Sequence, residues 1–155
     1  MTSVAQAQPN IALIKYWGKR DHAQNLPAVS SLSVTLQSLW TRMTVEFQQG
    51  DGPDTLLVNS AAAPAMLTRV SNCLDLVAGS DRHRAAVVSE SNFPIGAGLA
   101  SSASAFAALV VAAEQELGGS RSSLELARLA GASSGSAARS LFGGVVELTA
   151  GDEQI

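Results

Sequence analysis

The stretch Pro94-Ile-Gly-Ala-Gly-Leu-Ala-Ser-Ser-Ala103 separates a short apolar segment, Ala85 to Ser89, from a run of residues from Ser101 to about Leu117 that is apolar on all sides. The first segment has the length and composition of a strand that can extend to Ser91, and the second predicts a helix buried in the middle of a domain. Between them, glycines let the backbone approach a ligand closely. A helix start presents unpaired N–H groups to an anion, and Ser101 and Ser102 add hydroxyl donors there. The stretch is neither a Walker sequence, which needs Gly-Lys-Ser/Thr, nor a dinucleotide fingerprint, whose spacing differs. Two readings stay open on these residues alone: a phosphate cradle, or a plain strand-to-helix connection.

Upstream, Ser31 to Thr35 and Met43 to Phe47 alternate polar and apolar residues and predict two strands. Gln48 to Asp54 holds Gly50, Gly52 and Pro53, a turn of the kind that closes a hairpin, with Thr55 to Asn59 as the return strand. Pro64 suits the first turn of a helix on which Leu67, Val70, Leu74 and Val77 share a face and which Gly79 ends. Downstream, Ser122 and Glu125 have capping-box spacing before a third helix ending near Gly131, and Gly143-Gly144 leads into a strand from Val145 to Thr149. No regular strand–helix–strand alternation appears. The fold class expected is α+β, with helices packed on one face of a mostly antiparallel sheet.

Bulk properties narrow the function. The chain has 155 residues, about one domain, and its 46% hydrophobic and 15% charged residues can build a core. A net charge of −3 argues against non-specific nucleic-acid binding. The single cysteine, Cys73, cannot form an intrachain disulfide and reads as a small core residue. Met1 to Gln8 carry no basic side chain, so no signal peptide is expected. The low-charge run from Phe93 to Ala113 contains Pro94 and glycines and suits a loop feeding a helix better than a membrane span. A soluble cytoplasmic protein is expected, with no membrane or nucleic-acid partner.

Two further stretches carry candidate chemistry. Lys15-Tyr-Trp-Gly-Lys19 contains both lysines of the chain, and two cations beside Tyr16 and Trp17 make an anion site or a solvated basic edge. Ser133-Ser-Gly-Ser-Ala-Ala-Arg-Ser140 sets small hydroxyl residues around a glycine. Arg139 there can grip a carboxylate or phosphate with two parallel hydrogen bonds, although such stretches are also common surface turns. Arg69 is a fourth cation that the pattern by itself leaves in solvent. His22 and His83 lack metal-ligand spacing, and no metal-binding residue is expected.

Taken in order, these stretches resemble the mevalonate diphosphate decarboxylases of the small-molecule kinase superfamily that includes galactokinase, homoserine kinase, mevalonate kinase and phosphomevalonate kinase. The resemblance runs from Pro9-Asn-Ile-Ala-Leu-Ile-Lys-Tyr-Trp-Gly-Lys-Arg-Asp21 to Arg139-Ser-Leu-Phe-Gly-Gly144. It takes in Asn25-Leu-Pro27, Ser30-Ser-Leu-Ser-Val-Thr-Leu36, Arg69-Val-Ser-Asn-Cys-Leu74 and Glu90-Ser-Asn-Phe-Pro94. It implies the superfamily's N-terminal domain, of the ribosomal protein S5 domain 2-like type, over residues 1–155. It also implies ATP and Mg2+ as cofactors. Asn92, Gly96, Ala97, Gly98, Leu99, Ala100, Ser101 and Ser102 would bind the nucleotide. Lys15, Ser136 and Arg139 would be catalytic, with Lys15 near the transferred phosphoryl group and Arg139 on the substrate carboxylate. Tyr16, Trp17, Gly18, Lys19 and Arg69 would hold the substrate, and Ser134, Gly135, Ser136, Ala137, Ala138 and Arg139 would line its pocket.

The reaction so implied is ATP-dependent decarboxylation of mevalonate 5-diphosphate to isopentenyl diphosphate, in isoprenoid biosynthesis, with homodimerisation left open. Gly96-Ala97-Gly98 departs toward the kinases, since the decarboxylases commonly carry alanine at the first of these positions. No acidic residue matches the family's catalytic aspartate, which lies in a later segment. The chain thus reads as the first half of an enzyme, inactive alone, without the family's C-terminal domain. A mevalonate-type kinase, a monophosphate decarboxylase and a non-catalytic ligand-binding fragment are the competing readings.

Overall fold

The computed structural model describes residues 2–15, 19–21, 26–50, 52–94 and 101–149. Its core is built on a five-stranded sheet made of β1 (Ser3–Ala7), β6 (Thr41–Gln48), β9 (Arg84–Ser91), β7 (Thr55–Val58) and β8 (Ala61–Ala62), in that spatial order. A second sheet contains β10 (Val145–Leu148), β5 (Ser31–Thr35) and β2 (Asn10–Ile14), again in spatial order, and β3 (Lys19–Asp21) pairs with β4 (Leu26–Pro27). All pairs are antiparallel except β7 with β9. The α+β expectation therefore holds.

Helix α2 (Ser101–Glu116) lies across β1 and β6 and also contacts α1 (Pro64–Ala78), α3 (Ser123–Ser133) and the 3₁₀ helix Ala137–Leu141. So many neighbours explain its sequence. Phe106 to Val110, Ala112 and Ala113 are all buried, and the alanines let sheet and helices approach closely. Leu74 of α1, Val45 of β6, Val87 of β9 and Leu109 of α2 are fully buried and centre the core. Helix α1 begins with Pro64 and buries Val70, Cys73, Leu74 and Val77, with Leu67 packed at the edge, as its periodicity predicts. Helix α3 has the expected capping box: Ser122 Oγ accepts from the Glu125 N–H, and the Glu125 carboxylate accepts from the Ser122 N–H. The helix continues two residues past Gly131 to Ser133.

One expectation is overturned. Thr55 to Asn59 does not return against Met43 to Phe47 as a hairpin, because β9 lies between β6 and β7. Strand β9 pairs along all of β6, from Gln48↔Arg84 to Thr41↔Ser91, whereas β7 offers only four residues to a partner. Asp54 fixes the alternative. Its Oδ1 accepts from the Ala85 N–H at 2.7 Å, which sets the start of β7 beside the start of β9 in parallel register. Arg82 clamps the same carboxylate from Nη1 at 2.9 Å and Nη2 at 2.6 Å, and Ser71 Oγ donates to it at 2.6 Å. Strands β1 and β2, near the N-terminus, are elements that the periodicity reading did not assign.

Candidate functional site

The 3₁₀ helix carrying Arg139 is folded against the second sheet. Ser134 caps α3, its N–H donating to the Ala130 carbonyl at 2.9 Å, and the Ala137 N–H then donates to the Ser134 carbonyl at 2.7 Å. This tight turn uses Gly135 and Ser136 and leaves Ala137, Ala138, Arg139 and Ser140 buried. Arg139 is only 3% exposed. Its Nη1 donates to Ser31 Oγ of β5 at 2.6 Å, and its Nη2 reaches Asn10 Oδ1 of β2 at 3.5 Å. The amide of Asn10 in turn donates to the Ser136 carbonyl at 3.0 Å and to Ser140 Oγ at 2.7 Å. Asn10 and Ser31 thus anchor both the guanidinium and the turn before it. Both lie inside stretches that carry the family resemblance, yet their roles were missed, since nothing local to either residue announces a partner more than 100 positions away.

Lys15 follows β2 and is exposed. A bulge between Ala12 and Ile14 changes its side of the sheet: Ala12 pairs with Ser33, and two residues later Ile14 pairs with Leu32. Strict alternation would put Asn10 and Lys15 on opposite faces. With the extra residue Ile14 stands opposite Leu32, and continued alternation would carry Lys15, one position beyond the strand, toward the face of Asn10 and Ser31. The opposite face carries Ile11, Val34 and Val145 in one cross-strand row. Lys19 forms the start of β3. The expectations for Tyr16, Trp17, Gly18 and the Lys19 side chain lie outside the described residues, as do those for Gly96, Ala97, Gly98, Leu99 and Ala100.

A second locus forms where α2 begins. Ser101 and Ser102 line a cavity of about 280 Å³ with Thr41 and Met43 of β6, Leu56 and Val58 of β7, Ser89 and Ser91 of β9, Met66 and Arg69 of α1, and Phe106. Its walls are mainly apolar, with hydroxyls grouped near the helix start. Arg69 is exposed on the rim, and its guanidinium stands 4.9 Å from the centre of the Phe106 ring. Arg69 and Arg139 therefore belong to different parts of the fold, one at the α2 cavity and the other against β2 and β5. Asn92 is exposed after β9. Its Oδ1 accepts from the Trp40 N–H at 2.8 Å and its Nδ2 donates to the Ser38 carbonyl at 2.9 Å, which ties the residue after β9 to the turn before β6. Among the described residues, no group of three or more His, Cys, Asp or Glu side chains gathers where it could hold a metal ion.

Comparison with known proteins gives this geometry a family. A model described as the diphosphomevalonate decarboxylase-like N-terminal domain matches residues 7–155. The diphosphomevalonate decarboxylase of Saccharomyces cerevisiae is 42% identical over 165 residues, covering 94% of this chain and 41% of the yeast protein. A structure of the mevalonate diphosphate decarboxylase from Enterococcus faecalis superimposes with a TM-score of 0.88 at 42% identity, covering 96% of this chain and 47% of that one. A structure solved in complex with MVAPP, AMPPCP and magnesium gives the same TM-score, 0.88, and covers 96% of this chain and 46% of its own. The chain spans less than half the length of these relatives. Matched over nearly its whole length, it belongs to the diphosphomevalonate decarboxylase-like N-terminal domain family.

Proposed function

We propose that this chain is the nucleotide- and diphosphate-binding half of an ATP-dependent mevalonate diphosphate decarboxylase of isoprenoid biosynthesis, acting in the cytoplasm. Residues 1–155 would form its N-terminal domain, and the family's other domain would supply the catalytic aspartate. The observation that carries this reading is the buried Arg139, oriented from two strands by Ser31 and Asn10. It supports a fixed, buried cation next to the turn formed by Ser134, Gly135 and Ser136. A substrate carboxylate that must stay fixed until it leaves as carbon dioxide is held best by a permanently charged, planar partner.

In this reading Lys15, turned by the bulge to the face of Asn10, approaches the phosphoryl group in transit. Tyr16, Trp17, Gly18 and Lys19 complete the substrate side. Arg69, on the rim with Ser101 and Ser102, serves the phosphate-rich end of the site. Asn92 and residues 96–102 bind the nucleotide, with the glycine stretch and its serines cradling the ATP phosphates and the cavity beside α2 accepting the base. Bound ATP supplies the phosphoryl group, and Mg2+ neutralises its charge. The residues here position reactants and provide cations, which phosphoryl transfer needs more than covalent groups. The relative bound to MVAPP, AMPPCP and magnesium supports the choice of ligands.

Calorimetric titration of the 155-residue chain with ATP tests the nucleotide half of the reading. Binding should be measurable in the parent and lost in a folded Gly98→Val variant, which obstructs backbone approach. An assay for phosphate and carbon dioxide release tests the rest. The isolated chain should show no multiple turnover; sustained turnover would overturn its assignment as an incomplete half.

A further inference from the structure

The turn between β7 and β8 holds a strained pair. Among the described residues, Asn59 (φ 47°) and Ser60 (φ 68°) are the only non-glycine residues in the left-handed region. They join Val58 to its cross-strand partner Ala61, and the favoured two-residue turn of this kind needs positive φ at both central positions. Asparagine tolerates that conformation, whereas serine adopts it at a cost that glycine would avoid. No motif or periodicity marks either residue. Strain of this kind persists where the surroundings hold it, and it gathers beside functional sites.

What Asn59 holds is the end of β9. Its N–H donates to the Ser89 carbonyl at 2.8 Å, one step beyond the last parallel pair, Val58↔Ser89. In a regular parallel ladder its main-chain carbonyl would then accept from the N–H of Ser91. Here β7 has ended, and the side-chain Oδ1 takes that part, accepting from the Ser91 N–H at 3.0 Å. The backbone turns away while the carboxamide continues the ladder. On the β6 side, Ser91 Oγ lies 3.0 Å from Thr41 Oγ1, and the Asn92 N–H donates to the Trp40 carbonyl at 3.2 Å. Val58, Ser89 and Ser91, which Asn59 follows or bonds, all line the cavity that Ser101 and Ser102 also line.

We infer that Asn59 is a positioning residue of the proposed nucleotide site, acting through Ser91 to fix the β9 wall of the cavity beside the start of α2. Without the carboxamide, the last residue of β9 loses its tie to β7. The wall must then be ordered when ligand binds, which lowers affinity. The inference rests on the nucleotide reading above and adds to it a residue that acts at one remove.

The test pairs amide hydrogen exchange with calorimetric ATP binding on the 155-residue chain. Asn59→Gly suits the left-handed turn and removes only the carboxamide, so the variant should fold with a urea midpoint close to the parent's. The Ser91 amide should lose its protection while Val87 and Val88, in the middle of β9, keep theirs. ATP should bind on the order of fivefold to tenfold more weakly, the equivalent of one lost hydrogen bond. Asn59→Asp keeps an acceptor on a residue that also tolerates the turn, and should retain the protection and most of the affinity. Ser60→Gly relieves the strain without touching either bond and should leave ATP affinity unchanged. Unaltered Ser91 exchange in Asn59→Gly, or unaltered ATP affinity once that protection is gone, overturns the inference and leaves the nucleotide site standing. An Asn59→Asp chain as weak for ATP as Asn59→Gly overturns it as well. A parent that binds no ATP overturns the nucleotide reading and this inference with it.

Discussion

Arg139 Nη1 donates to Ser31 Oγ at 2.6 Å, across 108 positions of sequence. The bond joins the 3₁₀ helix to the middle strand of the second sheet and aims the guanidinium from a position that thermal motion of an exposed arginine would not preserve. In the complete enzyme proposed here, Arg139→Lys keeps the charge but loses the fork that meets both Ser31 and Asn10. The expected loss is a few kcal/mol of transition-state stabilisation, on the order of 100-fold, falling mainly on kcat, with ATP affinity little changed. Steady-state kinetics on both substrates checks it; a variant that weakens ATP alone would exchange the two assigned sites.

Asn10 braces the same turn from β2, so its loss should be felt in folding before any ligand is present. Asn10→Ala removes the donor to the half-buried Ser136 carbonyl and to the buried Ser140 Oγ. The expected destabilisation is about 2–4 kcal/mol, read from urea midpoints, against about 0.5 kcal/mol or less for Val145→Thr on the exposed face of the same sheet. Similar midpoints for the two variants would show that the Asn10 bonds contribute little.

The Asp54 carboxyl is held at about 2, below its ordinary 3.8, first by the Arg82 guanidinium and further by Ser71 and the Ala85 N–H, against a burial effect of opposite sign. Its folded value is lower than its unfolded one, so its contribution to stability is complete above about pH 4 and is lost as pH falls toward 2. The contribution corresponds to about 2 kcal/mol. Asp54→Asn should therefore be less stable than the parent by up to roughly that amount at pH 7, with the gap closing between pH 4 and pH 2. Denaturant titrations across that range measure it, and a gap independent of pH would contradict the clamp.

Gly119 stands against the buried carboxylate of Glu114, which also accepts from the N–H and guanidinium of Arg121. A Cβ at position 119 would overlap that carboxylate, so Gly119→Ala should cost about 1–3 kcal/mol although open space surrounds Gly118 and Gly143. In Glu114→Ala the obstacle is gone, and adding Gly119→Ala should then cost little. A double-mutant cycle with additive effects would refute the contact.

The sequence by itself determined the elements whose causes are local. The 3.6-residue apolar stripe from Leu67 to Val77, Pro64 at the first turn, the Ser122–Glu125 box and the alanine-rich α2 each decide a helix within a few residues, because hydrogen bonds and caps there join near neighbours. The motifs around Lys15, Gly98 and Arg139 likewise marked the family. Tertiary structure alone decided which strands neighbour one another and which side chains face the sites. Turn chemistry at Gly50 and Gly52 signals a reversal but not its partner, and the long pairing of β9 with β6, secured by Asp54 on Ala85, displaced the expected hairpin. One bulged residue after Ala12 shifted the alternation so that Ile14 faces Leu32, a change that period-two counting does not foresee. Asn10, Ser31 and Arg139 meet only because two strands of the second sheet and a 3₁₀ helix pack together, and a buried guanidinium must find its oxygen partners wherever that packing brings them.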